Sequence, residues 1–410
     1  MTNAATTQSA FRYSPFAKEV MANPMPFYSE LRDHHPAYYI EKFDAWVFSR
    51  FEDVWQLLDN LDSFVTTDRT VVSERDVVPH RGTFKPYQTD PLGHFSTLGS
   101  PVYEEIRQAG GKPLRPVPVK KMADDIRARC RALLDELAQR DSFDLVNDFG
   151  GAIAAGSICQ IYGIDISHAR EIHRAVGYAM HQDPVSGGFA DGFLEHRAQL
   201  NAIALDAIRR RRAADADGSV PAIDHLLNYT LEGRTLSDEE LVTPIATIMI
   251  GGSETVPKIV AHGLMILAER PDIRAQIMAD PDQNLPVAFE EMVRFCGPAQ
   301  WFMRTVARPI TIGGQKLEVG QHVFPLIQAA NRDPREFDDP DSFVWNRKME
   351  RHLGFGHGQK FCIGVHLARL EGRIMLEEVL RRFAGFRVTD AVRTPSSFQW
   401  GYSKAVLHPE

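Results

Sequence analysis

The stretch HLGFGHGQKFCIG, His352 to Gly364, sets Cys362 among glycines and basic side chains, in a chain with only four cysteines. Gly356, Gly358 and Gly364 would let the backbone lie close against something bulky and flat, while His352 and Lys360 bring positive charge or hydrogen-bond donors beside it. Apolar residues at helical spacing follow, so Cys362 falls near a helix N-terminus, where the dipole favours a thiolate. A thiolate so placed can bind a metal ion. Cys130, Cys159 and Cys296 are scattered with no CxxC pairing, so no zinc ribbon or iron–sulfur cluster assembles from local spacing. Those three read as buried or free thiols of a reducing compartment.

A second reactive set lies at GGSETVP, Gly251 to Pro257, where the Glu254 carboxylate and the Thr255 hydroxyl stand side by side. An acid next to an alcohol can move a proton through an otherwise apolar interior. The pair sits in a segment that breaks local rules. Gly251 and Gly252 each cost a helix about 1 kcal/mol against alanine, and Pro257, at roughly 3 kcal/mol, removes the donor that would satisfy the Ser253 carbonyl. That carbonyl must bond water or a side chain instead, which predicts a kinked or hydrated helix. Local rules that fail together tend to mark function. EMVR, Glu291 to Arg294, would by itself be an exposed ion pair worth a few tenths of a kcal/mol.

These residues need elements to carry them, and the chain reads as mainly helical. KKMADDIRARCRALLDELAQR and GVHLARLEGRIMLEEVLRRF show apolar side chains at three- and four-residue spacing. A capping box at Ser237 and Glu240 starts a helix whose apolar run is long enough to cross the molecule, so it is expected at the centre. Strand signals are few: AWVFS near Trp46, and ITIGGQKLEV with Gly313-Gly314 as its turn. No repeat or low-complexity linker divides the chain. The expectation is one domain over 1–410, with 1–25 an irregular extension.

The formal charge of -8 argues against a general nucleic-acid binder. One exception is RQAGGKPLRPVPVKK, where Arg107, Lys112, Arg115, Lys120 and Lys121 stand without an acid. It is either a solvated face or a docking surface. No apolar run suits a signal peptide or a membrane anchor, so a cytoplasmic protein, monomeric and without a membrane or nucleic-acid partner, is expected.

With these residues in place, the chain resembles the cytochrome P450 superfamily. FGHGQKFCIG fits its haem-binding loop, Phe-Gly-x-Gly-x-(His or Arg)-x-Cys-x-Gly, through Phe355, Gly356, Gly358, Cys362 and Gly364, with Lys360 where His or Arg is usual. GGSETV is similar to its oxygen-activating helix motif, with Val256 departing from the usual Thr or Ser. EMVR fits its Glu-x-x-Arg helix, and Arg347, closing ANRDPREFDDPDSFVWNR, stands where the family completes a Glu-Arg-Arg network. The resemblance runs from about Phe27 to the C-terminus. It implies the P450 fold, mainly α with small β-sheets, and a haem b held between the long central helix and the helix of the cysteine loop.

The resemblance implies roles residue by residue. Cys362 would be the axial thiolate and the metal ligand, and Thr255 and Glu254 would deliver protons, Glu254 linking the site to solvent. Arg304, His352, Lys360 and Arg107 would serve the haem propionates. Tyr103 takes the place of the family's histidine in a His-x-x-x-Arg segment and offers a hydroxyl in place of a charge. His94, in DPLGH, lacks a basic residue four positions on and reads as a loop residue. Glu291, Arg294 and Arg347 would be scaffold, and Ile248, Gly251, Gly252, Phe302 and Phe398 would line the substrate pocket.

The implied reaction inserts one oxygen atom from O2 into a small apolar organic substrate, by hydroxylation, O-dealkylation or epoxidation. The chain carries no flavin, nicotinamide or iron–sulfur fingerprint, so electrons would come from a separate ferredoxin and its reductase, docking on the basic Arg107–Lys121 stretch. Two other readings remain, a peroxide-using haem-thiolate peroxygenase and a haem-binding sensor or carrier without turnover. Glu254-Thr255 favours the oxygen-reducing route.

Overall fold

A computed structural model describes residues 11–410. Its central element is the helix Asp238–Ala268, 31 residues and so about 46 Å long. It starts where the sequence places it. The Ser237 Oγ accepts the Glu240 N–H at 3.2 Å and the Glu240 carboxylate accepts the Ser237 N–H at 2.8 Å. Glu240 also accepts both Arg234 guanidinium nitrogens at 2.8 Å and the Leu92 N–H at 2.6 Å, which ties a distant loop to the start of the helix.

Helices Gly151–Tyr162, Ala169–Met180 and Phe193–Ala213 pack on the central helix and on one another. So do Pro281–Cys296 and Val365–Arg382, the helix after the cysteine loop. Gly372 lets those two approach. A Cβ there would stand 2.0 Å from the Phe289 ring, a contact that no side chain tolerates. Both helices expected from periodicity are present, the second as Ala123–Leu137.

The largest sheet has five strands, in the order Ala37–Ile40, Ala45–Phe48, His322–Pro325, Arg304–Val306 and Phe64–Val65. Ala45–Phe48 is the strand expected around Trp46. Ile310–Ile312 pairs with Gln315–Leu317 across Gly313 and Gly314, whose φ values of 54° and 76° suit the expected two-residue turn. The hairpin Phe386–Arg393 with Tyr402–Pro409, joined by Phe143–Asp144, was not expected. Its strands show no clean alternation, because Phe386–Arg393 has exposed or half-buried positions on both faces and a register shift.

The N-terminal expectation needs correction. Residues 1–10 lie outside the described part, but Lys18–Ala22 form a short helix within the segment expected to be irregular. Val20 and Met21 are buried there, so the segment is docked by its apolar side chains. Among the described residues, no helix is long and apolar enough to cross a membrane.

Candidate haem and oxygen site

Cys362 sits in a tight loop just before the helix Val365–Arg382. Its N–H donates to the Phe355 carbonyl at 2.9 Å, and Gly356, at φ 72°, makes the turn that closes this ring. A Cβ on Gly356 would find only the Lys360 carbonyl, at 3.9 Å, so this stretch of backbone presents a bare face. Cys130, Cys159 and Cys296 are fully buried, and Cys362 alone is partly exposed. Burial nevertheless raises its thiol pKa, against the Gly364 N–H and the charges of Arg107 and Arg369. The helix N-terminus by itself does not make a thiolate here.

Beside the loop, three cations converge, with the Glu104 charge acting on Lys360 from beyond salt-bridge distance. Arg304, 4 % exposed, has its guanidinium on the Phe302 and Met303 carbonyls at 3.1 and 3.2 Å, and its Nε has no partner. Lys360 Nζ donates to the Leu98 carbonyl at 3.0 Å and lies 3.2 Å from the centre of the Tyr103 ring. Arg107 donates to the Tyr103 hydroxyl at 3.1 Å and to the Phe361 carbonyl at 2.6 Å. Among the described residues none of the three has a carboxylate partner. Burial lowers Arg304 to about 10, and burial with the Arg304 charge lowers Lys360 to about 7. Uncompensated cations packed this closely are costly unless an anionic group joins them. Tyr103, which replaces the family histidine, is the aromatic plate on which Lys360 rests.

His352 does not join this cluster. Its Nδ1 accepts the Gly354 N–H at 3.0 Å and its Nε2 is paired with Glu290 at 3.0 Å, a carboxylate that also holds Arg369. Both ring nitrogens are occupied here, and through them the imidazole braces the start of the cysteine loop. Phe355, 8 % exposed, packs between His352 and Phe361. Glu291, Arg294 and Arg347 do form one network. Arg294 donates twice to Glu291 at 2.7 Å, and Arg347 Nε reaches both Glu291 oxygens at 3.1 Å. Arg294 also donates to the carbonyls of Asn331 and Pro340 at 2.7 and 2.9 Å. The Asn331 side chain in turn accepts the Leu353 N–H at 2.7 Å, so the network reaches the start of the cysteine loop.

On the central helix, Gly251 is exposed although it lies mid-helix, and a Cβ there would meet nothing within 4 Å. Thr255 donates to the Gly251 carbonyl at 2.9 Å. One turn earlier Thr247 donates to the Thr243 carbonyl at 2.7 Å, so Thr247, Gly251 and Thr255 form a small polar stripe along one face. Gly252 does not belong to that face, since its Cβ would strike Ile158 at 2.5 Å. It is a packing glycine and not a pocket wall. Ile248 is 8 % exposed beside the stripe, Phe302 packs with the sheet core, and Phe398 is buried 6.2 Å from Trp301.

Glu254 is placed otherwise than expected. It is 2 % exposed, and its Oε1 is bonded to Lys258 Nζ, one turn on and 1 % exposed. No path to solvent opens through it. The carbonyl freed by Pro257 is also satisfied, and a side chain does it. His173 Nδ1–H donates to the Ser253 carbonyl at 3.1 Å, and burial lowers the pKa of that imidazole, keeping it neutral. Gly150 and Gly151 make room, because a Cβ on the first would crowd Pro257 at 3.0 Å and one on the second would strike the His173 ring at 2.3 Å. Sequence reasoning missed Lys258, His173 and Thr247. The i,i+4 spacing of Glu254 and Lys258 was the available signal for the first.

The cysteine side also bears a groove of about 400 Å³, with Lys120, His366, Arg369 and Arg373 among its lining residues. Arg115, Lys120 and Lys121 of the basic stretch are exposed, whereas Arg107 points inward.

The geometry agrees with the comparisons. The cytochrome P450 family profile matches residues 181–410. A Mycobacterium tuberculosis relative carried under the name cytochrome P450 126 is 33 % identical over 298 residues, 72 % of each chain. CYP199A2 of Rhodopseudomonas palustris is 28 % identical over 381 residues, 92 % of this chain and 89 % of the relative. The fold matches Mycobacterium marinum CYP268A2, solved with pseudoionone, at a TM-score of 0.83 and 22 % identity over 98 % of this chain and 100 % of that one. Such matches, joined to the cysteine loop and the Glu-Arg-Arg network, show that the chain belongs to the cytochrome P450 family, whose members are haem monooxygenases.

Proposed function

We propose that this chain is a single-domain monooxygenase that takes dioxygen, and electrons from a separate ferredoxin, to oxygenate a small organic substrate with an apolar body. The observation that carries this reading is the set of uncompensated cations, Arg304, Lys360 and Arg107, beside the one partly exposed cysteine. A flat dianionic cofactor with a metal centre answers both features, so the residues present fit haem b. Cys362 would hold the iron, the three cations with Tyr103 would hold the propionates, and Gly356, Gly364 and Phe355 would shape the loop against the ring. When bound, haem held by the Cys362 sulfur would supply the activation of dioxygen for transfer of one oxygen atom to carbon.

The chain's own residues then handle protons and water. Thr255 Oγ–H, now given to the Gly251 carbonyl, can turn to donate into the space beside the helix. Glu254, the preceding residue, is held by Lys258, and it can exchange a proton with the site only when this ion pair loosens. Haem-loaded protein should turn over with reductant, ferredoxin, its reductase and O2, and product should match reductant consumed. Turnover with peroxide alone would favour the peroxygenase reading, and haem binding without product would favour the sensor.

The exposed cations Arg115, Lys120 and Lys121 and the groove beside them support docking of an acidic electron donor on the cysteine side. Electron-transfer rate should fall several-fold between low and physiological salt, as exposed charges more than about 8 Å apart become screened. A rate independent of salt, measured by stopped-flow reduction, would place the donor elsewhere.

A further inference from the structure

Two loop side chains and one strand side chain converge beside the five-stranded sheet. A carboxylate oxygen of Asp68, a ring nitrogen of His80 and a ring nitrogen of His322 all lie within 4.8 Å of one another. His322 is buried, whereas Asp68 and His80 are half-buried, so the cluster is closed on the strand side and reaches water on the loop side. The backbone fixes where the three stand. Val65 pairs with Thr305 and Thr305 with His322, which sets these residues in one row across the strands Phe64–Val65, Arg304–Val306 and His322–Pro325. The chain leaves that row at Val65 and reaches Asp68 three residues on. His80 is brought back beside His322 because the Gly82 N–H donates to the Val319 carbonyl at 2.7 Å. Gly320, at φ 87°, permits the approach, since a Cβ there would stand 1.8 Å from the His80 carbonyl.

The hydrogen bonds around the cluster leave acceptors in excess. His322 Nε2 lies 2.8 Å from the Val78 carbonyl, which can only accept, so Nε2 carries the proton and Nδ1 keeps its lone pair. Burial disfavours a second proton on that ring. The Thr305 hydroxyl stands 3.3 Å from His322 Nδ1 and 3.3 Å from Asp68 Oδ2, and its single hydrogen serves one of these two acceptors. The neighbouring arginines do not make up the difference. Arg69 is taken by Asp76 at 2.8 Å and Arg81 by Asp44 at 2.6 Å. Among the described residues Asp68 has no lysine or arginine partner, only His80 Nε2 at 3.5 Å, too long for a good hydrogen bond. An imidazole whose outer N–H is held by a backbone carbonyl is how proteins orient a metal-ligating histidine.

We propose that Asp68, His80 and His322 Nδ1 form a binding site for a divalent transition-metal ion of the Zn2+ type, with water completing the coordination, which pins the loop from Asp68 to His80 onto the sheet. Bonds of about 2.0–2.2 Å around a tetrahedral ion set ligand atoms roughly 3.3–3.6 Å apart, so the ion would draw Asp68 and His80 inward onto a fixed His322. Two nitrogen ligands select against Mg2+ and Ca2+, which take oxygen. None of the three residues is assigned to haem, and the site stands independently of the monooxygenase reading. The loop it would stiffen also holds the residue before Arg304, since the Thr70 carbonyl accepts the Met303 N–H at 2.9 Å.

The test uses the haem-loaded protein, whose Cys362 is then engaged, dialysed against EDTA and titrated with Zn2+ alone by calorimetry. One Zn2+ per chain should bind, with no response to Mg2+, and hydrogen exchange of residues 66–83 should slow in the zinc-bound form. Asp68→Asn and His80→Gln should each weaken the binding by at least about tenfold, the lower end of what even a partner outside the coordination shell is worth, and should cancel the change in exchange. Both side chains are half-buried on a loop, so these variants should fold where His322→Ala would leave a hole beside the sheet, and unchanged circular dichroism and haem absorption check that they do. No Zn2+ bound, binding that survives either substitution, an equal response to Mg2+, or slowed exchange confined to other segments would overturn the site.

Discussion

Cys362→Ala is expected to abolish the thiolate-type absorption of the reduced carbon monoxide complex, and turnover with it, while the protein stays folded. The side chain is partly exposed and packs at the end of its loop, so its loss should cost no more than about 1–2 kcal/mol, against the 2–5 typical of a large core side chain cut to alanine. Its backbone contact, Cys362 N–H to the Phe355 carbonyl, survives the change. No other sulfur can substitute. Cys159 and Cys296 are buried with pKa values pushed up to about 11 and about 12 by desolvation, and Cys130 is pushed higher still. A variant that keeps the thiolate spectrum would show that Cys362 is not the ligand. One that fails to fold would instead show in circular dichroism, and Cys362→Ser then preserves shape while removing the sulfur.

The cysteine loop and the Glu-Arg-Arg network were legible because both depend on residue type at fixed spacing. Gly356, Cys362 and the Glu291-Arg294 pair do the same job whatever surrounds them. His352 shows what spacing leaves out: the resemblance implies a propionate role for it, and nothing local announces that Glu290, on another helix, pairs with its Nε2. Gly252 shows the same limit. Motif position placed it on the pocket wall with Gly251, yet successive helical residues point about 100° apart, and Gly252 turns to Ile158. The partner that quenches the Ser253 carbonyl could not be read locally, since His173 is 80 residues away. Only the demand for one was legible, from Pro257. The terminal hairpin went unseen because its burial lacks a period of two.

Lys258→Met carries the second large effect. It would leave the Glu254 carboxylate buried, 2 % exposed, with its Oε1 bereft of Lys258 and its Oε2 already without a partner. Breaking a buried ion pair from one side costs about 3–5 kcal/mol, because the surviving charge has nothing to offset its desolvation. For a chain of this size that is a fall in melting temperature of roughly 3–6 °C. The double variant Glu254→Gln with Lys258→Met has no stranded charge, so most of that loss should return. Glu254→Gln alone should be destabilised as well, since it strands the Lys258 ammonium, whose pKa burial already lowers. Stability and catalysis then separate. The double variant, folded and haem-loaded, still carries Thr255 but has lost the acid beside it, so reductant consumption should continue while the yield of oxygenated product per electron falls. A double variant as unstable as Lys258→Met alone would mean that packing around Gly401, whose Cβ would touch the Lys258 chain at 3.3 Å, dominates over charge. Unchanged coupling in the double variant would remove Glu254 from proton delivery and leave that task to the Thr255 hydroxyl.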